Sequence, residues 1–233
     1  MSEQTPENTE NLPSTGEPTP KAPVFEEKRG MWSRGSSDTS GYNLLDRELA
    51  MPGASQPPFG EPFDAIYNRA LEVVPELRGA LVLFDRGELT IYVPREHLLK
   101  TVAQFRDDAF LRFEVCMSVS GVHYPQERGA ELHSVYHLMS FTHNRRVRLE
   151  VSCPEEDAHI PSVVGTYPMA DWHERETWDM FGIIYDDHPA LTRILMPDDW
   201  KGHPQRKDYP LGGVDVEYKG AKVPAPDNRR SYS

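Results

Sequence analysis

Nothing in this chain limits its fold as tightly as the run RRVRLEVSC, residues 145–153. Val147, Leu149, Val151 and Cys153 alternate with Arg146, Arg148 and Glu150, so an extended chain sends its apolar side chains to one face and its charges to the other. Such a strand belongs in a sheet with one face in a core and one face wet. RFEVCMSVS repeats the pattern upstream, with Phe113, Val115, Met117 and Val119 predicted to point one way. Between these runs, ELHSVYHLMSF is mixed on both faces, as expected of a middle strand that touches something on each side, and THNRR supplies residues that turn the chain.

The segments before these strands complete the layout. Pro62 can open a helix with Ile66, Ala70 and Val73 on one face, and ELRG ends it. ALVLF and LTIYV flank DRGE, where Gly87 supplies the positive φ of a tight hairpin. Pro94 starts a second helix whose Leu98, Val102 and Phe105 form one apolar stripe for packing on the sheet. The order helix, strand, strand, helix, strand, strand, strand predicts an α+β domain with a mostly antiparallel sheet and helices packed on it. This core spans residues 61–185 and closes on a short helix over 171–181. Residues 186–233 form an extended C-terminal segment.

Residues 1–60 read differently. They hold eight of the 21 prolines, are acidic, and lack a periodic apolar pattern, so they bury too little surface to offset the entropy of ordering. The expectation is a largely disordered arm. VFEEKRGMWSRG within it carries Phe25, Met31 and Trp32, either by chance or as a segment that orders along a partner.

Several functions are disfavoured. Against 37 Asp and Glu stand 25 Lys and Arg, which argues against nucleic-acid binding over a broad basic face. No run of 18 apolar residues exists, and MSEQTPENTE is acidic where a signal peptide would be basic and then apolar, so the chain is expected in the cytosol or on a membrane only through partners. Two cysteines, Cys116 and Cys153, cannot supply four thiolates for an iron–sulfur cluster, and in a reducing cytosol they read as small core residues. His133 and His137 lie four apart on one strand, about 13 Å along it, too far to share one ion directly. They and His123 are expected to be satisfied, half-buried histidines.

Residues 171–213, DWHERETWDMFGIIYDDHPALTRILMPDDWKGHPQRKDYPLGG, concentrate acids, bases and aromatics. Asp171 and Glu174 have the spacing of a capping box, and Gly182 of a C-terminal stop. Arg175, Glu176 and Asp179 gather near Trp172, while Glu174 falls beside Trp178 and Phe181. A carboxylate among aromatics must serve the cap, pair with an arginine, or work as a perturbed acid. With His188, these carboxylates could serve a hydrolase or a divalent metal, but no His-Glu-x-x-His, phosphate loop or nucleophile elbow accompanies them. The distal part, with Pro189, Pro197, Pro204 and Pro210, has no room for a long regular element and stays ordered only against a surface. Its charges Arg193, Lys201, Arg206, Lys207 and Asp208 alternate with Ile194, Leu195, Trp200, Tyr209 and Leu211, as at an interface, although a long solvated loop would share the composition.

ERETWDMFGI, then HPALTRIL, then GHPQRKDYPLGG resemble the signature region of the C subunit of NADH-quinone oxidoreductase, the bacterial type I respiratory dehydrogenase. Residues 62–213 are similar to that family, with Thr192 and Gln205 departing from the residues often found there. The resemblance implies a non-catalytic subunit of the hydrophilic arm, on the cytoplasmic side of the cell membrane, lying against the D subunit and near the B and I subunits. It implies no cofactor in this chain, with FMN, iron–sulfur clusters, NADH and quinone held by partners. The docking residues would be Trp172, Glu174, Arg175, Glu176, Asp179, His188, Arg193, Arg206, Lys207, Asp208 and Tyr209. The competing expectation is the equivalent scaffold of a membrane hydrogenase or ferredoxin-type complex.

Overall fold

The computed structural model describes residues 24–29, 46–50, 53–209, 216–218 and 221–223. Met31, Trp32 and Leu211 therefore lie outside the described residues. The chain divides into two units, Met1–Gly53 and Ala54–Ser233. In the first, β1 (Val24–Arg29) pairs antiparallel with β2 (Asp46–Ala50), with an irregularity of register between Val24 and Glu26.

The second unit opens with α1 (Phe63–Val73), which buries Ile66 and Ala70. The hairpin of β3 (Val82–Asp85) and β4 (Glu88–Tyr92) turns through Arg86 and Gly87, both at positive φ, as a two-residue turn of this hand requires. A single 3-10 turn leads into α2 (Leu98–Asp107), where Leu98, Val102 and Phe105 are fully buried as their spacing predicts. The long strands are β5 (Val115–His123), β6 (Leu132–Ser140) and β7 (Arg145–Cys153). A short parallel pair, β8 (His159–Pro161) and β9 (Ile184–Asp186), flanks α3 (Ala170–Phe181), and β10 (Val216–Tyr218) pairs with β11 (Ala221–Val223).

The main sheet has the order β3-β4-β7-β6-β5. It is α+β and mostly antiparallel, but β4 and β7 run parallel, which puts β7 at the centre and β6 beside it. Apolar residues of the three helices join Leu89, Ile91, Val119, Tyr136, Leu138, Val147, Leu149 and Val151 in one core. Both cysteines are buried free thiols in this core, each pushed up to about 12 by loss of solvation.

Two details correct the strand reading. β5 carries a bulge between Cys116 and Ser118, so Phe113, Cys116 and Val119 face the core while Met117 turns outward, 39% exposed. One extra residue shifts a period of two by one position, and strict alternation in the sequence cannot reveal it. Second, Glu150 on the wet face is buried beside a partner from the neighbouring strand β6: His133 Nδ1 lies 2.7 Å from Glu150 Oε1, and its Nε2 lies 3.2 Å from Glu127 of the 124–131 connection. Burial alone would lower His133, yet these two carboxylates hold it above its ordinary value. His133 is thus a buried, ion-paired residue.

Helix α3 rests on β5 at Gly121. A β-carbon there would lie 2.8 Å from Thr177 Cγ2 and closer still to the Phe181 ring. Gly121→Val is expected to push α3 off the sheet at a cost of about 1–3 kcal/mol, the usual range for overpacking. Urea unfolding of the purified chain measures this, and an unchanged midpoint would show that α3 is not seated so closely.

Candidate functional site

Helix α3 has neighbours on two sides, and its carboxylates divide between them. Ala170, Glu174, Thr177 and Phe181 face the sheet, whereas Asp179 and Met180 meet the segment that follows β9. Its C-terminus is closed by Gly182 at φ 84, as the sequence predicts. Its N-terminus differs. Met169 occupies the cap position with no side-chain hydrogen bond, and Asp171 sits inside the first turn. The capping box is absent because Glu174 is engaged elsewhere: its carboxylate accepts from Ser162 Oγ at 2.6 Å and from the Val163 N–H at 2.8 Å.

Glu174 is fully buried. His188 Nε2 stands 3.9 Å from it and 3.4 Å from Asp171 Oδ1, while its Nδ1 accepts the Ala190 N–H. Loss of solvation raises the Glu174 carboxyl to about 7, the Ser162 and Val163 bonds opposing and the nearby Asp171 charge reinforcing the rise. Glu174 therefore neither caps the helix nor pairs with an arginine; it ties α3 to Ser162 and Val163, and burial raises its carboxyl there.

Asp179 has the opposite fate. Oδ1 takes Arg193 Nη1 at 2.5 Å, and Oδ2 takes the N–H groups of Ile194, Leu195 and Met196 at 3.1, 2.9 and 3.0 Å. Burial works to raise this carboxyl, but the three backbone donors and the guanidinium together hold it below the ordinary range. Arg193 continues to the carbonyls of Trp200 and Gly202, and its guanidinium carbon lies 5.5 Å from the Trp178 ring centre. His203 Nδ1 lies 3.0 Å from the Asp179 carbonyl, and the Gln205 N–H donates to Met180 O. Further on, the Lys207 N–H donates to buried His123 Nδ1, and Arg206 pairs with Glu155 at 2.6 Å and Asp208 at 3.0 Å. Residues 188–209 therefore form a strap bound to their own domain, and one carboxylate anchors its irregular backbone.

These contacts sort the residues singled out from sequence. Glu174, Asp179 and His188 turn inward and Arg193 is 11% exposed at its side chain. Trp172 is 64% exposed and carries Arg175 4.9 Å over its ring, and Arg175 also donates to Thr192 O. Glu176, Lys207 and Asp208 are exposed, Tyr209 half-buried, and Leu195 turns outward at 57%. Thr192 and Gln205 contribute backbone atoms, so their side chains are free to depart from the common pattern. Ser162, Glu155 and His123 were not foreseen as strap or helix supports. No spacing in the sequence links His123 to Lys207, 84 residues away.

Two surface cavities lie apart from this cluster. One is a groove of about 490 Å³ lined by residues including Met117, His137 and Arg146, and the other is lined by Arg95, Glu96, Asp157, His159, Pro161 and Asp186. Among the described residues no group of three His, Cys, Asp or Glu is placed to hold a metal ion, and no helix is long and apolar enough to cross a membrane.

Residues 91–215 match the family described as the 30-kDa subunit of the respiratory-chain NADH dehydrogenase. The chain is 55% identical over 240 residues to the C subunit of NADH-quinone oxidoreductase from Streptomyces coelicolor, covering 97% of this chain and 92% of that one. It is 57% identical over 217 residues to the subunit of the same name from Mycobacterium ulcerans, covering 90% and 91%. Its fold resembles a chain of the membrane-bound sulfane sulfur reductase, an archaeal respiratory membrane complex, with a TM-score of 0.55 and 22% identity over 65% of this chain and 87% of that one.

Proposed function

The chain belongs to the family of the 30-kDa subunit of the respiratory-chain NADH dehydrogenase, and from that premise we propose that it is a structural subunit of the hydrophilic arm of NADH-quinone oxidoreductase. It docks to the D subunit through the face built by α3 and the strap, lies near the B and I subunits, and sits on the cytoplasmic side of the membrane through them. It contributes no catalytic residue and no cofactor. NADH, FMN, the iron–sulfur clusters and quinone are bound by its partners, and its own residues hold surfaces in place for them.

One observation supports this reading above the others. The strap is locked to α3 by buried polar contacts, and the locked unit turns Trp172 and Leu195 outward among charged neighbours. Large exposed anchors on a rigid support are what a docking face requires, because little conformational entropy is then lost on association. Inward residues such as Asp179 and Arg193 take part indirectly, by shaping the strap. The length and level of identity with relatives named as the C subunit of NADH-quinone oxidoreductase favour that complex over a hydrogenase-like one.

Trp172→Ala combined with Leu195→Asp is expected to leave the isolated chain folded and to reduce assembled complex by roughly thirtyfold or more, since a buried aromatic anchor at an interface is typically worth at least about 2 kcal/mol. Native gels quantify assembly. NADH:quinone activity divided by assembled complex should stay unchanged. Full assembly with activity near zero would instead place these residues in the chemistry and sink the structural reading.

A further inference from the structure

The sheet face opposite the core holds a groove that docking through α3 and the strap does not use. It has a volume of about 490 Å³ and crosses β4, β7, β6 and β5, with Arg86 and Glu88 at one end, Met117 and Ser118 at the other, and His137, Arg146 and Arg148 between them. Register explains the placement: His137 pairs with Arg148 and Met139 with Arg146, on the side away from core-facing Leu149 and Val147. The bulge in β5 aims Met117 outward beside them.

The charges in the groove run against the chain's composition. The whole chain carries a formal charge of -12, yet here three guanidinium groups accompany one carboxylate. Arg148 is engaged, pairing with Glu88 and donating through Nε to His137 Nε2 at 3.2 Å. Because that nitrogen accepts, the imidazole proton sits on Nδ1 and donates to Ser118 Oγ at 3.1 Å, which leaves the hydroxyl hydrogen free to donate. Burial, then the Arg148 charge, hold His137 below its usual value, in keeping with this neutral tautomer. Arg146 is exposed and has no ion pair among the described residues, and Arg86 reaches only its neighbour Asp85, at 3.7 Å. The groove thus sets an outward methionine at one end beside a surplus of positive charge.

We propose that this groove is a second docking site, receiving an acidic segment of a partner polypeptide whose carboxylates pair with Arg86 and Arg146 while an apolar side chain packs on Met117. Charge complementarity names the occupant, and the methionine names its apolar part. The inference rests on the subunit reading and adds a contact on the sheet face that the helices leave open.

Hydroxyl-radical footprinting of the free chain and of the purified complex tests both readings in one experiment, with Met117 reporting the groove and Trp172 reporting α3. Oxidation of Met117 is expected to fall severalfold on assembly. In complex built with Arg146→Glu, or with Arg146→Gln if the reversal blocks assembly, the occupancy of that contact should drop by roughly tenfold or more, because like charges are then juxtaposed or one pair is lost, and Met117 oxidation should return toward its free level. Equal oxidation of Met117 in free and assembled protein, with Trp172 protected, would overturn the groove and leave the subunit reading standing. Protection of neither residue would defeat both. Protection of Met117 unaffected by either Arg146 variant would show an apolar contact, and protection of the free chain by inorganic phosphate would show a small-anion site. Each of those two results rejects the acidic partner segment.

Discussion

Asp179→Ala releases the strap while the sheet stays folded. The carboxylate satisfies Arg193 and three consecutive backbone N–H groups, and all four lose their partner together. An unpaired buried charge typically costs about 3–5 kcal/mol, and each orphaned N–H adds about 1–3 kcal/mol if it stays dry. The chain avoids most of that sum by opening locally, since Leu191 and Met196, which pack against the core from the strap, are only partly buried and water can reach the backbone once it detaches. Amide exchange of residues 193–207 should therefore accelerate by roughly a hundredfold or more, consistent with at least about 3 kcal/mol of lost local stability. Amides of β6 and β7 should be unaffected. Unchanged exchange in the strap would show that its order does not depend on Asp179. The wild-type anchor is also acid-resistant: a carboxyl held below its ordinary value contributes stability that is present above its unfolded value of 3.8 and is lost only as pH falls through the lower folded value. Assembly through the α3 and strap face should fall in this variant for the same reason, because the outward Leu195 is carried by the backbone that Asp179 holds.

Glu174→Gln is expected to act in the other direction and to remove a pH dependence. The carboxyl titrates at 4.5 when exposed and at about 7 in its buried site. Between those values the folded chain binds more protons than the unfolded chain, so stability declines as pH rises through the window and levels off above it. That gap of about 2.5 pH units corresponds to a decline of about 3 kcal/mol, taken as an upper bound, at about 1.4 kcal/mol per unit. Glutamine preserves the geometry: its carbonyl oxygen accepts the Val163 N–H and its amide donates to Ser162 Oγ. The variant should match the wild type near pH 5 and exceed it in melting temperature at pH 8. His133, whose folded value is also raised, contributes a decline of the same sign in both proteins and cancels in the difference. Parallel melting curves for the two proteins from pH 5 to 8 would rule out a buried charge at Glu174. The neighbourhood that raises Glu174 contains Asp171, His188, Cys116, Tyr136 and Tyr185, and it lies beneath the start of the strap.

Much of the architecture was legible before any tertiary contact was known. Alternation in residues 145–153 identified the core face of β7, Gly87 marked the β3–β4 hairpin, and the stripe of Leu98, Val102 and Phe105 identified the buried side of α2. Each of these depends on neighbours within a few residues, where backbone geometry alone imposes the period. The signature words in residues 174–213 likewise identified the family, because rare residue combinations in a fixed order carry information that folding need not reveal. What the tertiary structure decided was the pairing of buried polar groups. Glu174 and Asp179 are five residues apart on one helix, equally acidic in the sequence, and fully buried in the fold, yet one carboxyl is raised to about 7 and the other held below its ordinary range. The difference arises from what each meets: a hydroxyl and one N–H for Glu174, a guanidinium and three N–H groups for Asp179. Those donors come from segments brought up by chain topology, together with the parallel β4–β7 pairing and the one-residue bulge that turned Met117 outward. A local pattern determines which residues are buried, but the charge state of a buried group depends on every dipole within a few ångströms, and distant parts of the chain supply most of them.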